Sequence, residues 1–375
     1  MNKWTYTTLG KISEIITGPF GSQLHQSDYV EQGIPVVMPQ DIDNRKVNYA
    51  SINYVSNEDA IRLERYKTII NDILYARRGD VEKHAFIKEK DNGVLCGTGC
   101  LRVRITTSEV EPEFISFFLN REETRKWLVT HAVGTNMPNL NTDILSDVPI
   151  AYPLLEEQRR IVQVLNSLDE KIALNSAVND NLEQQIKTIF TFQFLQNANT
   201  EWKQQSLAEL SEMYQPKTIS GKDLIADGNY FVYGANGIIG KYNQYNHSES
   251  EIAVACRGAS CGSIQMTLPF SWITGNAMVV KPHSDFPYRE YLYYYLLAKN
   301  PNYLCSGSAQ PQLTRENLTL YSLKVPSTTE LNAFESYAEK VRKIIIKNQQ
   351  ENIELSTLRD WLLPMLMNGQ ATISD

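Results

Sequence analysis

No run of eighteen or more apolar residues occurs in this sequence, so no transmembrane helix is expected. The opening Met1-Asn2-Lys3-Trp4-Thr5-Tyr6 lacks the apolar centre of a signal peptide, so no secretory signal is expected and the cytoplasm is the expected compartment. Cysteine is sparse and odd in number, five in 375 residues, and forms no plausible disulfide framework. Cys96 with Cys100, and Cys256 with Cys261, lack the second pair and the histidine spacing of a zinc site, so they read as structural thiols and no metal is expected. His25, His84, His131, His247 and His283 are scattered, with no His-Glu-x-x-His. No Walker-type glycine-lysine loop is present, which argues against ATP hydrolysis by this chain. Gly234, Gly237 and Gly240 have the wrong spacing for a dinucleotide fingerprint and read as hairpin turns. Positive charge is also short: 36 Lys and Arg stand against 43 Asp and Glu, a net charge of -7. That weighs against a free-standing, tight nucleic-acid binder, because neutralising phosphates takes Lys and Arg. It is compatible with a reader whose partners supply much of the phosphate contact, and it equally suits a scaffold that binds only proteins.

What is present is a long, degenerate internal repeat. Gly134-Thr135-Asn136-Met137-Pro138-Asn139-Leu140 resembles Gly307-Ser308-Ala309-Gln310-Pro311-Gln312-Leu313, 173 residues later. The same offset carries Pro153 onto Pro326, Glu157 onto Glu330, Asn175 onto Asn348, Asn179 onto Asn352 and Leu182 onto Leu355. Earlier in the chain the offset drifts, pairing Trp4 with Trp202 and Arg78-Gly79 with Arg257-Gly258. Each copy is therefore a part with variable loops followed by a segment of constant length.

The constant segment reads as a long helix. Ile161, Leu165, Leu168, Ile172, Asn175, Asn179, Leu182, Ile186 and Ile189 recur in four-three alternation, a coiled-coil seam. The second copy repeats it with Phe334, Ala338, Val341, Ile345, Asn348, Asn352, Leu355, Arg359 and Leu362. Thr328 or Thr329 is a candidate N-cap, and Pro364 should end or kink the second helix. Asn at matching seam positions either fixes register at a cost in stability or is a polar spacer on a partly exposed face. Since a globular segment lies between the two helices, they are expected to pair antiparallel. At ~1.5 Å per residue the first seam spans about 42 Å, against ~34 Å for one turn of B-DNA.

Residues 1–153 and 197–326 mix short β runs (Ile34–Met38, Ile73–Ala76, Cys100–Arg104, Ile252–Ala255, Ala277–Val280) with one helix-like stretch each, Glu113–Leu128 and Tyr288–Ala298. The expected class is α+β: two globular domains, 1–153 and 197–326, separated by two long antiparallel helices in 154–196 and 327–375.

Pro153-Leu154-Leu155-Glu156-Glu157-Gln158-Arg159-Arg160-Ile161-Val162 resembles the start of the central conserved region of type I restriction-modification specificity subunits. Leu168-Asp169-Glu170-Lys171-Ile172, Asn175, Asn181-Leu182-Glu183 and Phe190 continue the likeness, and Leu358 to Gly369 resembles that family's C-terminal conserved region. Gly18-Pro19-Phe20-Gly21-Ser22, Arg77-Arg78-Gly79 and Tyr233-Gly234-Ala235-Asn236-Gly237 resemble motifs of its target-recognition domains. Pro326-Ser327-Thr328-Thr329-Glu330-Leu331 departs, lacking the Glu-Gln-Arg run. The resemblance implies a non-catalytic chain that reads a bipartite site on double-stranded DNA. It also implies two methyltransferase subunits and two restriction subunits as partners, with S-adenosylmethionine, ATP and magnesium on those partners rather than on this chain. The Asn-Pro-Pro-aromatic tetrapeptide of adenine methyltransferases is absent here.

Base readout uses Arg or Lys for guanine, Asn or Gln for adenine and Ser or Thr as adaptable partners. The candidates are Ser22, Gln23, Gln40, Arg77, Arg78, Lys83, Asn136 and Asn139 in the first copy, and Asn236, Lys241, Arg257, Ser260, Gln310 and Gln312 in the second. Arg78 and Arg257 lead, since the glycine after each lets backbone approach a duplex. The bland alternative for each is a β-turn with a surface arginine. The segments from Gly134 and from Gly307 serve equally well as loops that pack each domain onto its helix.

Overall fold

The computed structural model describes residues 4–134, 138–307 and 310–373. The chain divides into two compact units, one formed by Met1–Ile172 with Ile353–Asp375 and the other by Ala173–Asn352. Both long helices, Leu155–Phe190 and Thr328–Met367, therefore contribute a stretch to each unit.

The two units repeat one sheet plan. In the first, a four-stranded sheet runs Ser13–Thr17, Cys100–Ile105, Ile73–Ala76, His84–Phe86, with every neighbouring pair antiparallel. In the second, the equivalent order is Ser211–Tyr214, Ala277–Pro282, Ile252–Ala255, Ile264–Met266, also antiparallel throughout. A two-stranded ribbon ties the start of each copy to the strand that precedes its long helix: Thr5–Thr8 with Pro149–Tyr152, and Lys203–Ser206 with Ser322–Val325. Ile73–Ala76 and Ile252–Ala255 are buried at every position. That is why they read as unbroken apolar runs rather than alternating ones.

The helix-like stretch from Glu113 to Leu128 is two helices, Pro112–Leu119 and Glu122–His131. Arg121 is extended between them. Its guanidinium lies 3.6 Å from the Phe118 ring centroid, and its Nη1 donates to Asn368 Oδ1 at 2.8 Å. These contacts fasten the break to the end of the C-terminal helix. The second stretch is one helix, Arg289–Ala298.

One further expectation fails at the C-terminal helix, and of the two outcomes open at Pro364 the ending is excluded. The N-cap of that helix is Ser327, not Thr328 or Thr329: Glu330 N–H donates to Ser327 Oγ, and Ser327 N–H donates back to the Glu330 carboxylate, a capping box. Pro364 does not end the helix, which continues to Met367. Leu363, Leu366 and Met367 are buried in the apolar core of the first unit. Burying three such side chains outweighs the ~3 kcal/mol that an interior proline costs.

Within the first unit, Ile161 and Leu165 are buried, while Leu168, Ile172 and Leu355 are half-buried. Asp169 accepts from Arg359 at 2.8 Å and from Arg45 at 3.3 Å. Arg45 also donates to Ser116 Oγ at 3.0 Å, pairs with Glu113 at 3.5 Å and lies 3.4 Å from the Phe117 ring centroid. Within the second unit, Asn175, Asn179, Phe334, Val341 and Ile345 are buried; Leu182, Asn348 and Asn352 are half-buried. Asn175 Nδ2 donates to Asn352 Oδ1 and Asn348 Nδ2 donates to Asn179 Oδ1, both at 2.9 Å. Ascending one helix while descending the other, these contacts make the pair antiparallel. Phe190 and Phe194 then enter an aromatic core with Tyr291, Tyr294 and Phe334.

One cysteine expectation is also overturned. Cys261 and Cys305 face each other as a disulfide pair, their Cα atoms 6.6 Å apart. Spacing could not show this, because a loop returning 44 residues later brings the second sulfur back. Cys96, Cys100 and Cys256 are free and buried.

Candidate nucleic-acid interface

In each unit the Arg-Gly turn and the Gly-to-Leu loop are laced together by the same backbone hydrogen bonds. Gly79 N–H donates to Pro138 O at 3.2 Å, and Leu140 N–H donates to Arg77 O at 2.8 Å. In the other unit Gly258 N–H donates to Pro311 O at 3.1 Å, and Leu313 N–H donates to Cys256 O at 2.9 Å. The lacing sets Arg78 opposite Asn139 and Arg257 opposite Gln312, each as an isolated antiparallel bridge. Residues opposed in this way project toward the same face, so each unit offers one guanidinium beside one carboxamide.

The turn needs its glycine for conformation rather than for space. Gly79 has φ +77° and Gly258 φ +79°, and an added Cβ would meet nothing within 4 Å at either. L-residues seldom adopt that region. The loops are anchored from below by Leu140 and Leu313, both fully buried in the cores that also take the long helices. The packing reading of these loops holds at the leucine end, while the tips at Gly134, Gly307 and Gln310 are exposed.

The remaining candidates divide. Arg77 is half-buried; its Nε donates to Leu140 O at 3.2 Å and its guanidinium sits 5.8 Å from the exposed Phe20 ring, so it braces the loop. Ser22 is exposed on the turn that follows Phe20. Gln23, on the same turn, is engaged by Tyr66 Oη at 2.7 Å and by Arg62, which bonds its carbonyl. Gln40 is exposed on the short turn Pro39–Asp41, whose Pro39 abuts Gly99. Lys83 is half-buried and pairs with Asp80 at 2.9 Å, a hydrogen bond that raises the lysine's pKa. Asn139 is half-buried, with its Oδ1 buried and lacking a hydrogen-bond partner. Asn136 lies outside the described residues. In the second unit Ser260 is half-buried just beyond the Arg-Gly turn. Asn236 is exposed in the hairpin between Tyr230–Gly234 and Gly237–Tyr242, and the half-buried Lys241 rests its Nζ 5.6 Å from the Phe231 ring centroid. That hairpin belongs to a separate three-stranded sheet.

Sequence reasoning missed a third segment common to both sites. Gly99 O accepts from Arg77 N–H at 2.7 Å, and Asn276 O accepts from Cys256 N–H at 2.9 Å. The turn holding each of these residues also binds an upstream loop: Thr98 Oγ1 donates to Pro19 O at 3.0 Å, and Gly275 N–H donates to Thr218 Oγ1 at 3.1 Å. Phe20, Lys217 and Thr218 are thereby exposed beside the laced loops. The available signal was a Thr-Gly pair before the central strand in both copies, Thr98-Gly99 and Thr274-Gly275. Among the described residues, no group of three or more His, Cys, Asp or Glu is arranged to hold a metal ion, and no helix is long and apolar enough to cross a membrane.

Gln158, within the motif that opens the first long helix, is wholly buried. Its Nε2 donates to Glu109 O and Pro153 O at 3.0 and 2.8 Å, and its Oε1 accepts from Glu111 N–H at 2.8 Å. The matching position of the second copy is Leu331, buried in an apolar core. The two helix starts are thus solved by different chemistry.

A family model described as type I restriction modification DNA specificity domain matches residues 1–184 and 199–356. The chain is 21% identical over 408 residues to the putative type I restriction enzyme MjaX specificity subunit of Methanocaldococcus jannaschii, an alignment covering 99% of this chain and 94% of that one. It is 30% identical over 131 residues to the type I restriction enzyme EcoprrI specificity subunit of Escherichia coli, covering 34% of this chain and 32% of the relative. The crystal structure of a type I restriction-modification S subunit from M. genitalium shares the fold, with a TM-score of 0.66 at 16% identity, over 97% of this chain and 96% of that one.

Proposed function

Because this chain belongs to the type I restriction modification DNA specificity family, we propose that its two laced-loop sites each read one half of a bipartite DNA target. The role of the chain is DNA sequence specificity within a type I restriction-modification system. The observation that carries the finer reading is the recurrence of one constellation, an exposed arginine opposite a carboxamide, on two loop pairs fixed by identical backbone bonds. Arginine suits the O6/N7 edge of guanine, and the exposed Gln312 suits the N6/N7 edge of adenine, whereas Asn139, its Oδ1 buried, lacks the free acceptor that adenine N6 needs. A family of target sequences is reached by changing these side chains and their neighbours.

The chain itself holds no catalytic role in this reading. Two methyltransferase subunits would dock on it to modify adenines, and two restriction subunits would join for cleavage. S-adenosylmethionine, ATP and magnesium would be bound by those partners. The net charge of -7 fits this division, since partners would then supply much of the phosphate contact.

The test begins with methylome sequencing of the host with and without the gene, which defines the motif lost. The chain assembled with its methyltransferase subunits is then titrated with duplexes carrying that motif, either half scrambled, or both. Salt-sensitive preference for the intact motif, reduced by scrambling either half, is expected. Equal affinity for all four duplexes would sink the proposal.

A further inference from the structure

We propose that Cys261 and Cys305 form a reversible thiol–disulfide latch that locks the reading loops of the second unit; the inference rests on the DNA-reading assignment above. Cys261 ends the Arg257-Gly258 turn, its N–H donating to Gly258 O at 3.0 Å. Cys305 immediately precedes Ser306, which exchanges two backbone hydrogen bonds with Gln312, each 2.8 Å. The sulfur bridge therefore fastens the loop carrying Arg257 to the loop carrying Gln312. The backbones also meet closely here, since a Cβ on Gly262 would lie 2.8 Å from Asn302 Cα.

Reagents would reach this pair before any other cysteine. Cys96, Cys100 and Cys256 are fully buried, whereas Cys261 and Cys305 are half-exposed at the loop surface. Burial further pushes the Cys96 thiol up to about 12 and raises that of Cys256, and a thiol held protonated is a poor nucleophile. The first unit has no counterpart: the repeat places Glu82 and Ala132 where the second copy has Cys261 and Cys305. The latch is thus specific to one of the two reading sites.

The chemistry is ordinary thiol–disulfide exchange. A small-molecule disulfide such as oxidised glutathione accepts two electrons and is cleaved to two thiols. The two cysteines lose two protons and gain one S–S bond, and a dithiol reductant reverses the step. With the bridge open, the loops are held beside the tip by backbone bonds among exposed residues, which open locally at little cost. Closing the bridge removes those open states and preorganises Arg257 against Gln312.

The test uses the full chain assembled with its methyltransferase subunits. One sample is treated with oxidised glutathione and another with dithiothreitol, and a Cys261→Ser/Cys305→Ser variant is treated both ways. Peptide mass spectrometry without reduction should find Cys261 linked to Cys305 in the oxidised wild type. Competition binding should then show the oxidised complex discriminating its second-unit half-site (the one whose readout falls in Arg257→Ala) better than the reduced complex by roughly three- to tenfold, the scale of ordering a few loop residues. The double variant should match the reduced wild type in both treatments, and the other half-site should not respond. Absence of the linked peptide, or its presence with unmoved discrimination, would overturn the latch alone. Absence of discrimination at both half-sites in every state would instead overturn the DNA-reading assignment, and the latch with it.

Discussion

Asn175 donates its Nδ2 to Asn352 Oδ1 at 2.9 Å, and one helical turn along, Asn348 returns the same bond to Asn179. Four amides thus occupy the middle of the helix pairing, where Leu would ordinarily sit. Asn175 also donates to the Glu351 carboxylate at 2.8 Å, and Asn352 to Ser176 Oγ at 3.2 Å. A shift of one residue in either helix would break every one of these bonds together, which is how polar seam residues fix register.

Asn175→Leu alone is expected to destabilise the chain by about 1–3 kcal/mol, because it removes one partner from a half-buried amide and a carboxylate. Asn175→Leu/Asn352→Leu should recover much of that loss, since an apolar pair suits the seam. Denaturant unfolding of the two variants and of Asn352→Leu closes a double-mutant cycle. Additive costs, with no coupling, would contradict a specific amide pair.

Arg78→Ala and Arg257→Ala should each relax specificity at one half-site and spare the other. The expected loss is about 1–3 kcal/mol of discrimination if the guanidinium pairs with a base. If it meets phosphate instead, affinity falls for all sequences alike and the salt slope drops by about one. Binding to matched and scrambled duplexes at several salt concentrations separates the two outcomes. No change in either quantity would remove the arginines from the interface.

His84 is wholly buried, stacks on Tyr75 at a 5.1 Å centroid distance, and sets its Nε2 3.0 Å from Ser116 O. Burial, aided by the positive charge of Arg45, lowers its pKa to about 3 from an ordinary 6.5. The unfolded chain therefore takes up a proton that the folded chain refuses. Stability from this group is complete above pH 6.5 and declines as pH falls toward 3, by roughly 2–3 kcal/mol between pH 6.5 and 4.5. His84→Phe should flatten that acid slope whatever its offset, as followed by thermal unfolding across the range.

Glu335 slopes the other way. Its two carboxylate oxygens accept the N–H groups of Glu290 and Tyr291 at 2.9 and 3.1 Å, joining the C-terminal helix to the start of the helix Arg289–Ala298. Burial raises its pKa to about 7, against the lowering effect of those two bonds. A raised carboxyl pKa gives a contribution that is whole below about pH 4.5 and is lost as pH climbs through 7. The expected decline is on the order of 2–3 kcal/mol, and Glu335→Gln should abolish it. An unchanged slope in that variant would assign the pH response to another group.

Much of the architecture was legible because it rests on periodicity. The heptad seam, the constant offset between copies and the unbroken apolar runs at Ile73–Ala76 and Ile252–Ala255 are one-dimensional records of packing. The Arg-Gly turns at Arg78 and Arg257 were legible for a related reason: the pair recurs, and the glycine in each adopts the positive φ that such a turn needs. What sequence did not reveal depends on contacts between distant loops. The Cys261–Cys305 pairing and the lacing partner of each Arg-Gly turn have no local pattern. Arg45 is similar: it sits at φ +62° after Asn44 and reaches Asp169 across 124 positions of chain. The helix runs past Pro364 because burial of the proline's neighbours outweighs its local cost.

The stitches that hold Gly79 to Pro138 and Gly258 to Pro311 are made between peptide groups, which every amino acid but proline carries in full. Side chains at the loop tips are consequently free to vary without unpicking the frame that presents them. A lineage under pressure from changing invaders could revise what is written on these tips, one substitution at a time, while inheriting the scaffold unaltered.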